Sequence, residues 1–158
     1  MQKKLEQLLY SDKEYSLAMR KQLPITEIVF KSDVVVQKED RVSVVYRLMK
    51  RHRLKHIPVV YQDEVIGIVS RGDIKRLGFG YVYDGRDDIE IGMFDMLQAD
   101  QVMARNPPKV ALDTTVLEVA ELMIAKDFAA LPVMHEGKVV GVIDIHDLLL
   151  FLLLPKGE

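Results

Sequence analysis

The stretch HIPVV at residues 56–60 recurs 74 positions later as ALPVM at residues 130–134. The same spacing relates GIVSRGD at 67–73 to GVIDIHD at 141–147. Extending the comparison outward gives ten identical pairs among 39 ungapped positions, and many of the other pairs join two apolar residues. Self-similarity at a fixed period indicates a repeated structural unit. The chain therefore contains two tandem copies of one unit.

Within each copy the hydrophobic pattern changes in the same order. A strand-like stretch, residues 34–37 or 109–112, precedes apolar residues spaced by three and four, which predict an amphipathic helix. Two short apolar stretches then predict a β-hairpin, and a closing helix follows Ser70 in the first copy and Asp144 in the second. A β-α-β-β-α unit of roughly 50 residues is too small to bury its sheet alone. The sequence therefore predicts an α/β fold in which two tandem repeats share one pseudo-two-fold module.

Two helix starts carry capping signals. Thr115, followed three residues later by Glu118, has the pattern of a capping box at the long helix of the second repeat. Asp40 is the predicted N-cap of the equivalent helix in the first repeat. We expect both helices to begin directly after these residues.

The repeat divides the chain into four parts. We predict the first repeat over residues 24–77 and the second over residues 100–154. Residues 1–23 place apolar side chains among charged ones and predict an N-terminal helical segment that Pro24 ends. Residues 78–99 form an inter-repeat connection that is longer than a typical loop.

The composition is that of an ordinary globular protein, with 49% hydrophobic and 29% charged residues in 158. A formal net charge of −2 argues against nucleic acid as a partner, and the absence of cysteine excludes disulfides and thiolate metal sites. The longest apolar run, residues 148–154, is far shorter than the roughly 20 residues of a membrane-spanning helix. With no recognisable signal peptide, the composition predicts a cytoplasmic protein without a membrane partner.

The paired strand entries HIPVV and ALPVM, with the strand-to-helix sequences GIVSRGD and GVIDIHD, resemble the cystathionine β-synthase (CBS) domain pair, or Bateman module. The resemblance covers about residues 24–154. It implies a pseudosymmetric module with two clefts, which in many family members bind adenine nucleotides or other adenosyl compounds. It also implies a homodimer. The regulatory ligands considered on this ground are AMP, ADP, ATP and S-adenosylmethionine, and no cofactor is expected to be required.

The first cleft is expected at the strand-to-helix junction of the first repeat. Ser70 and the free backbone N–H groups of a helix opening at Arg71 favour a phosphate, and the family places its ribose-binding acid at the position of Asp73. Lys55 and His56 stand where the resemblance implies phosphate contacts. From the residues alone the alternative is structural: Ser70 caps the helix, Asp73 favours its dipole, and the basic run is a solvated face.

The second cleft is expected to be weaker for a charged ligand. Asp147 matches the ribose acid, but Asp144 stands at the position of Ser70 and places a carboxylate where a phosphate would sit. A helix-capping role is the alternative for Asp144. The predicted ligand-binding set joins the polar residues of both clefts to apolar residues of the strands: Val34, Val36, Lys55, His56, Ile57, Pro58, Ser70, Arg71, Asp73, Val110, Ala130, Leu131, Pro132, Asp144 and Asp147.

The residues offer no catalytic set and no metal site. His52 and His56 have the spacing of a helical zinc pair, but Pro58 places His56 at a strand entry and no third ligand is evident. No nucleophile has an identifiable base. We therefore predict a regulatory, non-enzymatic module that senses an adenine nucleotide or related adenosyl ligand and acts on a further protein. The alternative is a dimeric interaction and assembly protein whose clefts bind no nucleotide.

Overall fold

The structure is a computed structural model that describes residues 17–28, 32–77 and 94–153. Most of the predicted N-terminal segment, most of the inter-repeat connection and Leu154 lie outside these residues. Within them, residues 17–20 are helical and Ile25–Glu27 form a 3-10 turn.

The first sheet has four strands. In sheet order these are β1 (Val36–Gln37), β2 (His56–Tyr61), β3 (Glu64–Ser70) and β4 (Ala104–Arg105). β1 is parallel to β2, whereas β2 with β3 and β3 with β4 are antiparallel. The first repeat adds two helices, α1 (Val42–His52) between β1 and β2, and α2 (Arg71–Leu77) directly after β3.

The second sheet repeats this arrangement with three strands. In sheet order these are β5 (Val110–Ala111), β6 (Ala130–His135) and β7 (Lys138–Asp144). Its helices are α4 (Val116–Lys126) and α5 (Ile145–Leu153), and the short α3 (Ala99–Val102) precedes β4. The register also repeats, since Val36 pairs with Val59 and Val110 with Val133. The predicted tandem β-α-β-β-α fold is confirmed.

Both hairpins turn through two residues with positive φ. The angles are 49° and 63° at Gln62 and Asp63, and 49° and 75° at Glu136 and Gly137. Two successive positive φ angles characterise the type I′ turn, whose twist matches that of the paired strands. The hairpins predicted from the apolar stretches are therefore present in both repeats.

One of the two predicted helix caps is confirmed. The backbone N–H of Glu118 donates to Thr115 Oγ1 at 3.2 Å, and the N–H of Thr115 donates to Glu118 Oε2 at 2.8 Å. Hydrogen bonds from the backbone and side chain of Thr115 hold the pKa of Glu118 below its ordinary value of 4.5. The cap predicted at Asp40 is wrong, because Arg41 is the N-cap of α1. Asp40 instead accepts from the N–H of Gln37 at 2.7 Å and closes the turn after β1.

The segment that leads into each repeat packs into the core of the other repeat. Ile25 and Ile28 are buried in the core of the second repeat. Phe94, Ala99 and Met103 are buried in the core of the first repeat. We call residues 24–28 and 94–103 the leading segments. Each core thus contains residues from both sides of the predicted domain limits. Those limits stay a prediction.

Isolated bridges hold the leading segments in pseudosymmetric positions. Pro24 pairs with Thr115, and Gln98 pairs with Arg41. Both members of the first pair lie 74 positions from a member of the second, so the exchange follows the same pseudo-two-fold relation as the repeats. The two repeats therefore share their hydrophobic cores by exchanging their leading segments.

Gly67 marks the place where the second leading segment crosses β3. A Cβ atom there would lie 2.7 Å from Met103 Cγ and 3.0 Å from the carbonyl oxygen of Ala104. Real Cβ atoms almost never approach other atoms so closely, so a side chain at this position would displace the crossing segment. The glycine permits the pairing of β3 with β4.

Candidate functional site

Ser70 ends β3, Asp73 lies in the first turn of α2, and the two residues form a reciprocal cap. Asp73 Oδ2 accepts from the Ser70 N–H at 3.1 Å and from the Ser70 hydroxyl at 2.6 Å, while the hydroxyl accepts from the Asp73 N–H at 3.0 Å. The structural alternative for this pair is therefore observed. The other carboxylate oxygen, Oδ1, lies 3.6 Å from Nη1 of the exposed Arg76. Oδ1 is the acceptor that remains for a ligand.

An open groove of about 430 Å³ runs past this cap. Strand pairing sets its position, because His56 and Ser70 are direct partners in the hairpin of β2 and β3. Three of its lining residues are basic: Lys55, Arg71 and Lys75. The other three are His56, Ser70 and Gly72, so no acidic side chain lines the groove in the described part of the chain. Its charge suits an anion.

Arg71 lines this groove and also has a buried side-chain donor. Its backbone N–H donates to the carbonyl of Lys55 at 2.7 Å, which ties the start of α2 to the entry of β2. Its side-chain Nε is fully buried and has no hydrogen-bond partner among the described residues. Buried donors are nearly always paired, because an unpaired one loses its hydrogen bonds to water without compensation. A ligand with an anionic acceptor would compensate that loss.

His56 lies where the two repeats meet. Its Nδ1 atom is buried 3.8 Å from Asp144 Oδ2, across the boundary between β2 and β7. Burial lowers the pKa of His56 below its ordinary value of 6.5, although the carboxylates of Asp144 and Asp73 oppose the shift. Burial therefore favours the neutral imidazole, which can form a hydrogen bond with a ligand.

Asp144 and Asp147 form the equivalent cap at the end of β7, but they are buried, with exposed fractions of 5% and 7%. The N–H of Asp147 donates to Asp144 Oδ1 at 2.9 Å, and the N–H of Asp144 donates to Asp147 Oδ2 at 3.2 Å. The capping role expected as the alternative for Asp144 is observed. A cavity of about 10 Å³ beside Asp144, Asp147 and His56 is about the size that one water needs.

The positions equivalent to the groove cations are not basic in the second repeat. Adding 74 to the numbers of Lys55, Arg71 and Lys75 gives three apolar residues, Ala129, Ile145 and Leu149. The two strand-to-helix junctions therefore differ in charge although their backbones are equivalent.

The apolar members of the predicted ligand set lie in the hydrophobic cores or in the strands beside them. Val36 and Ile57 belong to the first core, and Val110 and Leu131 belong to the second. Val34 packs against the first core, and the other three are buried within β2 or β6: Pro58, Ala130 and Pro132. Among the described residues, none of these eight side chains lines the groove.

The structure brings Lys55, His56, Ser70 and Arg71 together in the groove with Asp73 next to it, and it places Asp144 and Asp147 at the other junction. Sequence reasoning missed Lys75 and Gly72 as groove residues. Arg71 and Lys75 are four positions apart in a helix and so share a face, which was the available signal for Lys75.

Three side chains with metal-binding groups lie close together at the second junction. Asp144, His146 and Asp147 each bring one ligand atom to within 4.8 Å of the others. Both carboxylates already accept backbone N–H groups, which accounts for their position without an ion. We assign no metal to this cluster.

The apolar run near the end of the chain lies in α5, a helix of nine residues. No helix in the described ranges is long and apolar enough to cross a membrane.

The model of the CBS domain family matches the chain twice, over residues 19–80 and 99–154. The chain belongs to the CBS domain family. The resemblance inferred from the repeated motifs is thereby confirmed, and CBS pairs are regulatory modules. This family model is not that of a catalytic domain.

Among curated proteins, the uncharacterised protein MJ1225 of Methanocaldococcus jannaschii is 25% identical to this CBS pair over 127 residues. The match covers 79% of this chain and 45% of that protein. The chain spans less than half the length of the curated relatives that it matches.

Solved structures share the fold of this CBS pair. The CBS domain of a CBS domain-containing membrane protein from Sphaerobacter thermophilus has a TM-score of 0.76 at 24% identity, over 94% of this chain and 99% of that one. The CBS domain of a bacterial CNNM/CorC family Mg²⁺ transporter, in complex with ATP, has a TM-score of 0.68 at 15% identity over 91% and 96%. CBSX2 in complex with AMP has a TM-score of 0.58 at 18% identity over 80% and 93%.

Proposed function

We propose that this CBS pair is a regulatory module that binds an adenine nucleotide or a related adenosyl ligand, such as AMP, ADP, ATP or S-adenosylmethionine. The observation that carries the proposal is the cationic groove, where the buried Nε of Arg71 has no hydrogen-bond partner among the described residues. A phosphate oxygen satisfies such a donor through a charge-assisted hydrogen bond, which is stronger than a neutral one. The ATP and AMP complexes of two similar folds support the same ligand class.

Each polar residue at the groove has a role in this proposal. Asp73 accepts from the ribose hydroxyls through Oδ1, because Ser70 occupies Oδ2. Ser70 holds Asp73 in place. Because the Ser70 hydroxyl donates its proton to Asp73, the phosphate is bound by Lys55 and Arg71. His56 contributes a neutral hydrogen bond. The expected contact between Ser70 and phosphate therefore becomes indirect.

The two clefts are unequal in this proposal. The buried Asp144 carboxylate repels a phosphate, and the cations of the first groove have no basic counterparts in the second repeat. At about 4 Å, repulsion between two unit charges is about 1 kcal/mol in water and about 4 kcal/mol at an effective dielectric of 20. The second cleft therefore disfavours a phosphate.

Regulation follows if the ligand binds two arrangements of the repeats with different affinity. The contact of His56 with Asp144 places the groove next to the boundary between the repeats, so a ligand in the groove acts on that boundary. The regulated protein, a cytoplasmic location and the absence of a catalytic activity stay predictions from the sequence, as do the domain limits at residues 24–77 and 100–154.

Thermal melting tests the proposed function. At a concentration of 100 times its dissociation constant, a ligand that binds only the folded protein stabilises it by about 2.7 kcal/mol. We therefore expect AMP, ADP, ATP or S-adenosylmethionine to raise the melting temperature, and GTP to serve as a base-specificity control. No shift with any adenosyl compound would contradict nucleotide sensing.

The second candidate function is that of an assembly protein whose clefts bind no nucleotide. Two observations favour it: Ser70 and Asp73 already satisfy each other, and α5 exposes an apolar stripe. The absence of any ligand-induced shift, together with a stable oligomer, would support this function over the first.

We also propose that the chain forms a homodimer through α5. Ile145, Leu149 and Leu153 are exposed and spaced by four, so they form one stripe on the helix. A stripe without charge can pair with its own copy across a two-fold axis, which removes apolar surface from water in both chains.

We expect sedimentation to give twice the 18.1 kDa chain mass at tens of micromolar protein. The double variant Leu149→Glu, Leu153→Glu should dissociate the dimer, because it places charges in the interface. Met96→Glu, at a residue that is also exposed but lies outside α5, should not. A wild-type chain that sediments as a monomer would reject the dimer.

A further inference from the structure

The number and spacing of the basic residues in the groove indicate how many phosphates its ligand carries. This inference rests on the proposed function. Lys55 and Arg71 are linked by a backbone hydrogen bond at the strand-to-helix junction, next to the Ser70–Asp73 cap. Two basic side chains match the charge of one phosphate group, which is about −1.5 to −2 at pH 7. Lys75 is a third cation and belongs to the same groove.

Lys75 lies one helical turn beyond Arg71. Four residues at a rise of 1.5 Å each place it about 6 Å farther along the axis of α2. A single phosphate held at the junction leaves Lys75 without an anionic partner. A chain of phosphates that runs along α2 brings negative charge to Lys75 as well.

No compensating acid lines this part of the groove in the described residues. Asp73 is the nearest acid by sequence, and its two oxygens are engaged by Ser70 and placed near Arg76. We propose that the groove is built for a ligand with at least two phosphates, a nucleoside diphosphate or triphosphate, and that Lys75 is the residue that distinguishes it from a monophosphate.

Isothermal titration calorimetry with AMP, ADP and ATP in EDTA tests this proposal. We expect ATP to bind about tenfold more tightly than AMP, because each added phosphate brings charge to a groove with three cations. Lys75→Gln should weaken the binding of ATP about fivefold and that of AMP less than about twofold, since the loss of one solvent-exposed ion pair has this scale. Lys138→Gln, which removes an exposed lysine in the second repeat, is the matched control and should leave both affinities unchanged.

The outcomes separate this inference from the proposed function. If AMP binds as tightly as ATP, the diphosphate or triphosphate preference is wrong while nucleotide sensing stands. If Lys75→Gln weakens both nucleotides alike, Lys75 is not the residue that distinguishes them, and the inference fails in that part. If no adenine nucleotide binds at all, both fail. A preference for ATP that falls from about tenfold to about two- to fourfold in Lys75→Gln, and stays at about tenfold in Lys138→Gln, supports the inference.

Discussion

Replacing Phe94 by alanine is expected to lower the free energy of unfolding by about 3–5 kcal/mol, the usual cost of removing a buried aromatic side chain. Phe94 is 1% exposed and stacks edge-to-face on Tyr46 in α1, with ring centroids 5.5 Å apart. It belongs to the second leading segment, yet it fills the core of the first repeat. The substitution therefore leaves a cavity beneath α1 and weakens the attachment of the segment.

Chemical denaturation measures this loss, and Met96→Ala is the control, since Met96 lies two residues away and is 78% exposed. Amide hydrogen exchange should locate the effect, with faster exchange in α1 than in α4, because only the first core loses a side chain. A loss below about 1 kcal/mol, or equal losses for both variants, would contradict the exchanged packing.

Replacing Asp73 by alanine is expected to weaken adenine nucleotide binding by about 1.5–3 kcal/mol, the scale of a hydrogen bond to a charged group. The same substitution removes the acceptor of the Ser70 cap, so stability should also fall, by about 0.5–2 kcal/mol. Calorimetry gives the first quantity and thermal unfolding gives the second. The two effects must be separated because one carboxylate carries both roles.

Asp147→Ala provides that separation. It removes the equivalent cap in the second repeat without touching the groove. We expect it to reduce stability while nucleotide affinity in the first groove stays within about twofold of the wild type, since Asp147 does not line that groove. If Asp73→Ala also leaves affinity unchanged and lowers only the melting temperature, Asp73 is a helix-capping residue alone.

Much of the site was predictable because its parts are local in sequence. The junction from Ser70 to Asp73 and the pair Lys55 and His56 follow from motifs that span a few residues, and one hairpin brings them together. Lys75 could have been added from its helical spacing to Arg71. The prediction that apolar strand residues such as Ile57 and Leu131 bind ligand stays untested, and both side chains lie in the hydrophobic cores.

Other features depend on contacts between distant parts of the chain. The buried position of His56 beside Asp144 joins residues 88 positions apart, and its lowered pKa follows from that burial. Asp40 shows that local sequence does not always select between competing hydrogen bonds. Its residue type favours an N-cap, but its carboxylate accepts a hydrogen bond from the N–H of Gln37 instead.

The amino-acid sequence by itself determined the family, the two-fold repetition and the order of strands and helices, because hydrophobic periodicity and turn residues act over a few positions and the same pattern occurs twice. Only the tertiary structure decided which core each leading segment fills and which charges face one groove. Ile25 and Phe94 are apolar enough to be buried in either core, and nothing in the local sequence indicates which core each of them enters. The choice is made by pairing of the backbone, at Pro24 with Thr115 and at Gln98 with Arg41, which joins residues far apart in the chain.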